Sequence, residues 1–184
     1  FHGVQIWVNL PASMKWTNPR YQDIHANDLT LLTSHDGSSL IRLIAGKINS
    51  YAGPGITHTP ISIIHATIPP KSSLELPWNK TFNALGYVLS GNGYVDKNNT
   101  SIHTGQAILF GTGDYIEISA STIQESRSNN LEILLLGGAP IREPIAWHGP
   151  FVMNSRQEII QTFEDYQKGH LGIIPADKSN KTTI

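Results

Sequence analysis

Between Thr81 and Ile118 the chain reads TFNALGYVLSGNGYVDKNNTSIHTGQAILFGTGDYIEI, two apolar runs joined by a polar turn rich in glycine and asparagine. Tyr87-Val88-Leu89 and Ala107-Ile108-Leu109-Phe110 are strand material, because β-branched and aromatic side chains suit a pleated, half-buried surface. Gly91 and Gly93 mark a tight bend after the first run. Gly105, Gly111 and Gly113 punctuate the second, where a backbone turns sharply or another approaches closely.

The flanks repeat this rhythm. Residues 24 to 32 run into a strand, and His35-Asp36-Gly37-Ser38 is a turn with Asp-Gly at its tip. Residues 40 to 45 form the next strand, and residues 50 to 59, with Gly53-Pro54-Gly55, read as an exposed loop. A strand over residues 61 to 68 ends at Pro69-Pro70, residues 74 to 77 form a short edge strand, and residues 131 to 136 give a nearly continuous apolar one. Strands about ten residues apart, with turn signals between them, predict an all-β sandwich or barrel. At the start, residues 4 to 10 alternate apolar and polar residues at period 2, which predicts a half-buried strand, and residues 11 to 21 form a loop.

One helix follows. Ser155 is an N-cap with Glu158 three residues on, a capping box. Ile159, Ile160, Phe163 and Tyr166 share one apolar face, and Gly169 is the C′ residue. The helix is expected from about Arg156 to Lys168, with its stripe packed on a sheet. The tail from 176 to 184 is expected to be disordered.

A length of 184 residues suits one domain plus part of a second. Thirteen basic against 14 acidic residues give a formal charge of −1, without the electrostatic footprint of a nucleic-acid or membrane binder. With no cysteine, disulfides and thiol chemistry are excluded, and a reducing compartment fits. No apolar run approaches the roughly 20 residues of a membrane span. A cytoplasmic location is expected, where the sequons at Asn79 and Asn99 carry no sugar.

The eight histidines stand at 2, 25, 35, 58, 65, 103, 148 and 170, and none forms a His-x-His pair. His58 and His65 lie across a proline and face different ways, and His148, before Gly149-Pro150, anchors a loop. His65, inside an apolar strand, is the strongest exception to a surface or hydrogen-bonding role. Glu75, Asp114 and Glu117 are possible acids without paired spacing, and Arg142-Glu143 reads as a solvated or loop-bracing ion pair. No serine elbow, P-loop or dinucleotide fingerprint occurs.

The spacing of the central stretch resembles the two motifs of the cupin fold, a double-stranded β-helix of jelly-roll type. A metal-binding cupin carries His-x-His, a Glu, then six residues and a Gly. With Gly91 as that Gly, Ala84 takes the Glu position and residues 77 to 80 contain no His. In the second motif Gly105 and Gly113 match, Gly111 replaces a Pro, and Ile116 stands where a His belongs. A divalent metal needs about three or four converging N, O or S donors, which these positions cannot supply.

At the two ends the resemblance sharpens. Gly3-Val4-Gln5-Ile6-Trp7-Val8-Asn9-Leu10-Pro11 with Pro19-Arg20-Tyr21-Gln22 resembles the central signature of pirins. Residues 137 to 144 (GGAPIREP) and 148 to 154 (HGPFVMN) resemble their C-terminal signature. Gly53-Pro54-Gly55 and the Trp78 region look most like bacterial members. Pirins are bicupins, and the resemblance implies an iron held by three His and one Glu in an N-terminal cupin, with a metal-free C-terminal cupin beside it. It also implies a quercetin 2,3-dioxygenase activity at that iron and, in eukaryotic members, redox-linked transcriptional co-regulation.

Residues 1–22 are then expected to be the last strand and linker of an N-terminal cupin lying outside this sequence. Residues 23–175 would be the degenerate, metal-free cupin with the helix at about 155–168. No catalytic, cofactor-binding or metal residue is assigned in this chain, and no cofactor is expected in it. The expected partner is the N-terminal pirin cupin, with self-association possible through the exposed first strand. The leading functional expectation is a structural and interaction half, inert alone. The alternative is a metal-free regulatory or ligand-binding module with an apolar cavity ringed by Ala84 and Ile116.

Overall fold

The computed structural model describes residues 3–174. Among these, two units are each compact, one of residues 24–140 and one combining residues 3–23 with 141–174; the tail expected at 176–184 lies outside the described residues.

The first unit is built from twelve strands: β1 (Thr30–Thr33), β2 (Leu40–Ala45), β3 (Lys47–Ile48), β4 (Tyr51–Ala52), β5 (Ile61–Ile68), β6 (Ser73–Pro77), β7 (Asn83–Ser90), β8 (Asn92–Val95), β9 (Thr100–His103), β10 (Ala107–Phe110), β11 (Tyr115–Ala120) and β12 (Leu131–Gly138). Six make an antiparallel sheet in the order β1-β2-β5-β12-β7-β10. Four make a second sheet, β6-β11-β8-β9, which puts the short strand over residues 73 to 77 at an edge, as expected. The expected strands over 40 to 45 and 61 to 68 form with those bounds.

Period-2 alternation decides which side chains turn inward. Along β5 the burial switches with every residue, so Ser62, Ile64, Ala66 and Ile68 face in while Ile63, His65 and Thr67 face out. Ile133 and Leu135 of β12 and Val88 of β7 join them, and Leu74, Leu76, Ile116 and Ile118 arrive from the opposing sheet. Nineteen buried residues make one continuous core. At Gly93 a Cβ would collide with the Ser119 carbonyl, so β8 can lie this close to β11 only without a side chain. Where β11 ends, the buried Gln124 amide continues the ladder. Its Oε1 accepts the Asn92 N–H at 3.0 Å, and its Nε2 donates to the carbonyls of Asn92 at 2.7 Å and Ser121 at 2.9 Å.

Two expectations for this unit are corrected. The run over residues 24 to 32 becomes strand only at Thr30. Before it a 3₁₀ turn at Ala26–Asp28 is closed by the Asp28 carboxylate, which accepts the His25 N–H. The loop over residues 50 to 59 contains strand β4, folded back on β3 around Asn49 in the left-handed conformation that asparagine tolerates.

In the second unit, β13 (Ala146–His148) pairs with β14 (Phe151–Met153), and α1 spans Arg156–Gln167. The strand expected over residues 4 to 10 joins no ladder among the described residues. Val4, Trp7 and Val8 are all exposed, so the alternation does not separate two faces, and a ladder needs a partner backbone that the described chain does not bring.

Helix α1 starts and stops as expected. Ser155 Oγ accepts the Glu158 N–H, but the Glu158 carboxylate reaches one residue further back than in a capping box, to the Asn154 N–H at 3.0 Å. At the other end His170 N–H bonds the Asp165 carbonyl and Gly169 N–H bonds that of Tyr166, a Schellman motif with Gly169 at φ +73°.

The expected apolar face is only half right. Ile159 and Thr162 are the buried positions, while Ile160 is 53% and Tyr166 63% exposed. The helix rests on the β13–β14 hairpin, not on a broad sheet, so the strip it covers is narrow. Phe163 meets His148 and Phe151 edge-on, with centroids at 5.4 and 4.9 Å. Ile159→Ala should therefore lower stability by about 2–4 kcal/mol, whereas Ile160→Ala should stay within about 0.5 kcal/mol. Chemical denaturation followed by circular dichroism checks the pair, and equal losses would contradict this placement of the helix.

Candidate functional site

Strands β7 and β11 carry the positions where a metal-binding cupin keeps its ligands. Ala84 on β7 and Ile116 on β11 both turn inward and are 3% and 4% exposed, packed among hydrocarbon side chains. Neither offers a donor atom. Among the described residues no group of three or more His, Asp or Glu converges as a metal would require. The iron implied by the resemblance therefore does not fit this barrel: its ligand positions are core. Neither Ala84 nor Ile116, the pair expected to ring an apolar cavity, lines either of the hollows described below.

The other chemistry-bearing residues are dispersed. Glu75 and Glu117 are cross-strand neighbours on the exposed side of β6 and β11, Asp114 is exposed, and His103 is exposed on β9. His148 lies against Phe163. Glu143 does brace a loop, but through polar groups and not through Arg142. Its Oε2 accepts the Ala12 N–H at 2.7 Å and the Asn154 Nδ2 at 2.9 Å.

His65 does have a partner of consequence. On the outward side of β2, β5 and β12, its Nε2 lies 2.8 Å from Glu132 Oε2. Thr67 Oγ1 donates to the same oxygen at 2.7 Å and accepts from Arg42 Nη1 at 2.7 Å. Ser128 Oγ donates to the other carboxylate oxygen at 3.3 Å. Cross-strand register creates this network, since Arg42 stands opposite His65 and Thr67 opposite Glu132. Burial opposes ionisation of Glu132, yet the hydrogen bonds from His65 and Thr67, the attraction of the His65 ring and the Ser128 bond hold its carboxyl below the ordinary value.

A carboxylate more acidic folded than unfolded stabilises above its unfolded value, and the contribution disappears as pH falls through the folded one. Glu132→Gln should accordingly cost about 1–2 kcal/mol at neutral pH. The gap to the unmodified protein should close between about pH 5 and pH 3. Stability measured against pH for both proteins tests this; a gap that stays constant with pH would assign the loss to packing.

Two hollows are formed among the described residues. In the unit of residues 24–140 a cavity of about 360 Å³ is lined by β3, the start of β5 and the segment from Pro77 to Phe82. Ser62 and Trp78 stand in its wall, 8% and 9% exposed. The Trp78 Nε1–H is buried without a hydrogen-bond partner among the described residues. In the other unit a more open hollow of about 550 Å³ includes Trp7, Trp16 and Phe151. Its Lys15 is already committed, donating to Asn9 Oδ1 at 2.7 Å and to the Val152 carbonyl at 3.0 Å. The residue sequence reasoning missed is Ser62. Its signal was a hydroxyl at an inward position of an otherwise apolar strand.

Several known proteins are similar to this chain. A family model described as the pirin C-terminal cupin domain matches residues 63–172. Pirin-1 of Arabidopsis thaliana is 32% identical over 173 residues, which cover 93% of this chain and 58% of that protein. A pirin-like protein of Caulobacter vibrioides is 31% identical over 169 residues, covering 91% of this chain and 58% of that protein. A solved quercetin 2,3-dioxygenase from Acinetobacter baumannii aligns with a TM-score of 0.78 at 30% identity, over 91% of this chain and 56% of that one. The chain spans little more than half the length of the curated relatives it matches.

Proposed function

We propose that this chain, which belongs to the pirin family, supplies the metal-free cupin of a two-cupin quercetin 2,3-dioxygenase and acts there as a structural and interaction half. The observation that carries the reading is the filling of the ligand positions by Ala84 and Ile116, each buried in hydrocarbon. A barrel packed this way cannot orient a flavonol and O₂ on a metal, because the protein's part in such chemistry is to supply ligands with open coordination positions. The fold likeness to a quercetin 2,3-dioxygenase of about twice the aligned length supports placing the iron in a second cupin.

The same reading assigns the exposed apolar run Val4, Ile6, Trp7 and Val8 to contact with that second cupin, and carries a cytoplasmic location. Clustered exposed apolar side chains of this kind are otherwise an association liability. Redox-linked regulation, where it occurs in the family, would on this view enter through the iron-bearing half.

The chain alone should hold no stoichiometric iron after dialysis against a weak chelator, and should consume no oxygen with quercetin and ferrous iron. Adding a separately produced N-terminal pirin cupin should restore oxygen uptake. Elemental analysis and an oxygen electrode read both outcomes. About one metal per chain, or uptake by the chain alone at the rate of the pair, would overturn the proposal.

A further inference from the structure

The unit of residues 3–23 and 141–174 keeps little of its apolar surface from water. Met153 and Ile159 are its only buried apolar side chains among the described residues, while twelve large ones stand exposed. Single apolar side chains scattered over a surface are ordinary. A unit that exposes so many and buries two gains little stability from burial of its own, and its apolar surface marks a place where another body belongs.

The hollow of about 550 Å³ gathers part of that surface in one place. Trp7, Val8 and Trp16 reach it from the N-terminal segment, each more than half exposed, and Phe151 and Leu171 reach it from the C-terminal one. The two segments are already tied together. The Ala12 N–H donates to Glu143 Oε2 at 2.7 Å, and Lys15 Nζ donates to the Val152 carbonyl at 3.0 Å. A concave surface held by its own bonds loses little freedom when a partner enters. Indole rings are also among the side chains that most often carry the energy of a protein–protein contact.

We infer that this hollow is the socket on which the second pirin cupin docks, with apolar side chains of that barrel seated against Trp7, Val8 and Trp16. The assignment rests on the two-cupin reading. It extends the contact from the run Val4 to Val8 to the C-terminal segment, where Phe151 and Leu171 complete the wall. Two observations select this occupant. Trp7 and Val8 belong both to the hollow and to the run assigned to the second cupin, so the surface is continuous. The relatives matched over 58% of their length also carry the further chain that a docked barrel needs, a remainder on the order of one small domain.

The test pairs this chain with a separately produced, iron-loaded N-terminal pirin cupin. Association is read by titration calorimetry and turnover by oxygen uptake with quercetin. The unmodified chain should associate. Trp16→Ala, at an exposed position, should weaken association roughly tenfold or more and leave the thermal melting of the chain unchanged. Ile160→Ala, exposed but outside the hollow, should associate like the unmodified chain. Association undiminished in both Trp16→Ala and Leu171→Ala would overturn this docking surface and leave the two-cupin reading standing. Absence of association and of oxygen uptake with the unmodified chain would overturn the two together. A dimer of the chain alone, lost in Trp16→Ala and indifferent to the added cupin, would assign the hollow to a second copy and overturn the proposal.

Discussion

The inward side of three neighbouring strands, β5, β12 and β7, decides most of what this protein is. Ile64, Ala66 and Ile68 stand beside Ile133 and Leu135, which stand beside Val88, and all are within 1% of complete burial. A surface that apolar must be covered, at roughly 25 cal/mol per Å², and the strands β6, β11, β8 and β9 cover it. Once the two sheets face one another, every inward position belongs to the core by default. A position can then serve chemistry only if its side chain is both polar and matched by a partner or a ligand.

That constraint explains why the fold and its customary chemistry can part company. The cupin skeleton needs glycine at its bends and hydrocarbon between its sheets; the metal needs several polar groups in the same space. In this barrel the hydrocarbon has taken the ligand positions. What Ala84 and Ile116 add is ordinary packing, and neither side chain offers a donor atom to an ion. The polar side chains that do assemble lie on the opposite side of the sheet, where Arg42, Thr67, Glu132 and His65 satisfy one another at part-buried depth.

Much of this was legible from residues alone, where one rule acted without competition. Strands β2 and β5 are apolar, β-branched runs bounded by turn residues, so their ends could be read directly. Ser155 and Gly169 marked the helix because capping is local chemistry. Legibility failed where a partner decides. Residues 4 to 10 have the pattern of a strand but, among the described residues, no neighbouring backbone to make them one. Ile160 fits a helical stripe on paper, but the two-stranded hairpin beneath α1 is too narrow to cover it. The cavity was invisible for a related reason: Ser62 and Trp78 are 16 positions apart, and only the return of the chain through β6 sets them in one wall.

Gln124 has a consequence of a chemical kind. Its side-chain amide takes the place of a peptide unit where β11 ends, accepting from one backbone group of Asn92 and donating to the other. A side-chain amide does both with separate oxygen and nitrogen atoms, as a peptide unit does. Hydrolysis of that amide over the lifetime of the protein would exchange a donor for a second acceptor, set against the carbonyls of Asn92 and Ser121. A sheet end held by a side chain is thus open to ageing in a way that one held by main chain is not, and in this barrel the vulnerable atom is a single nitrogen.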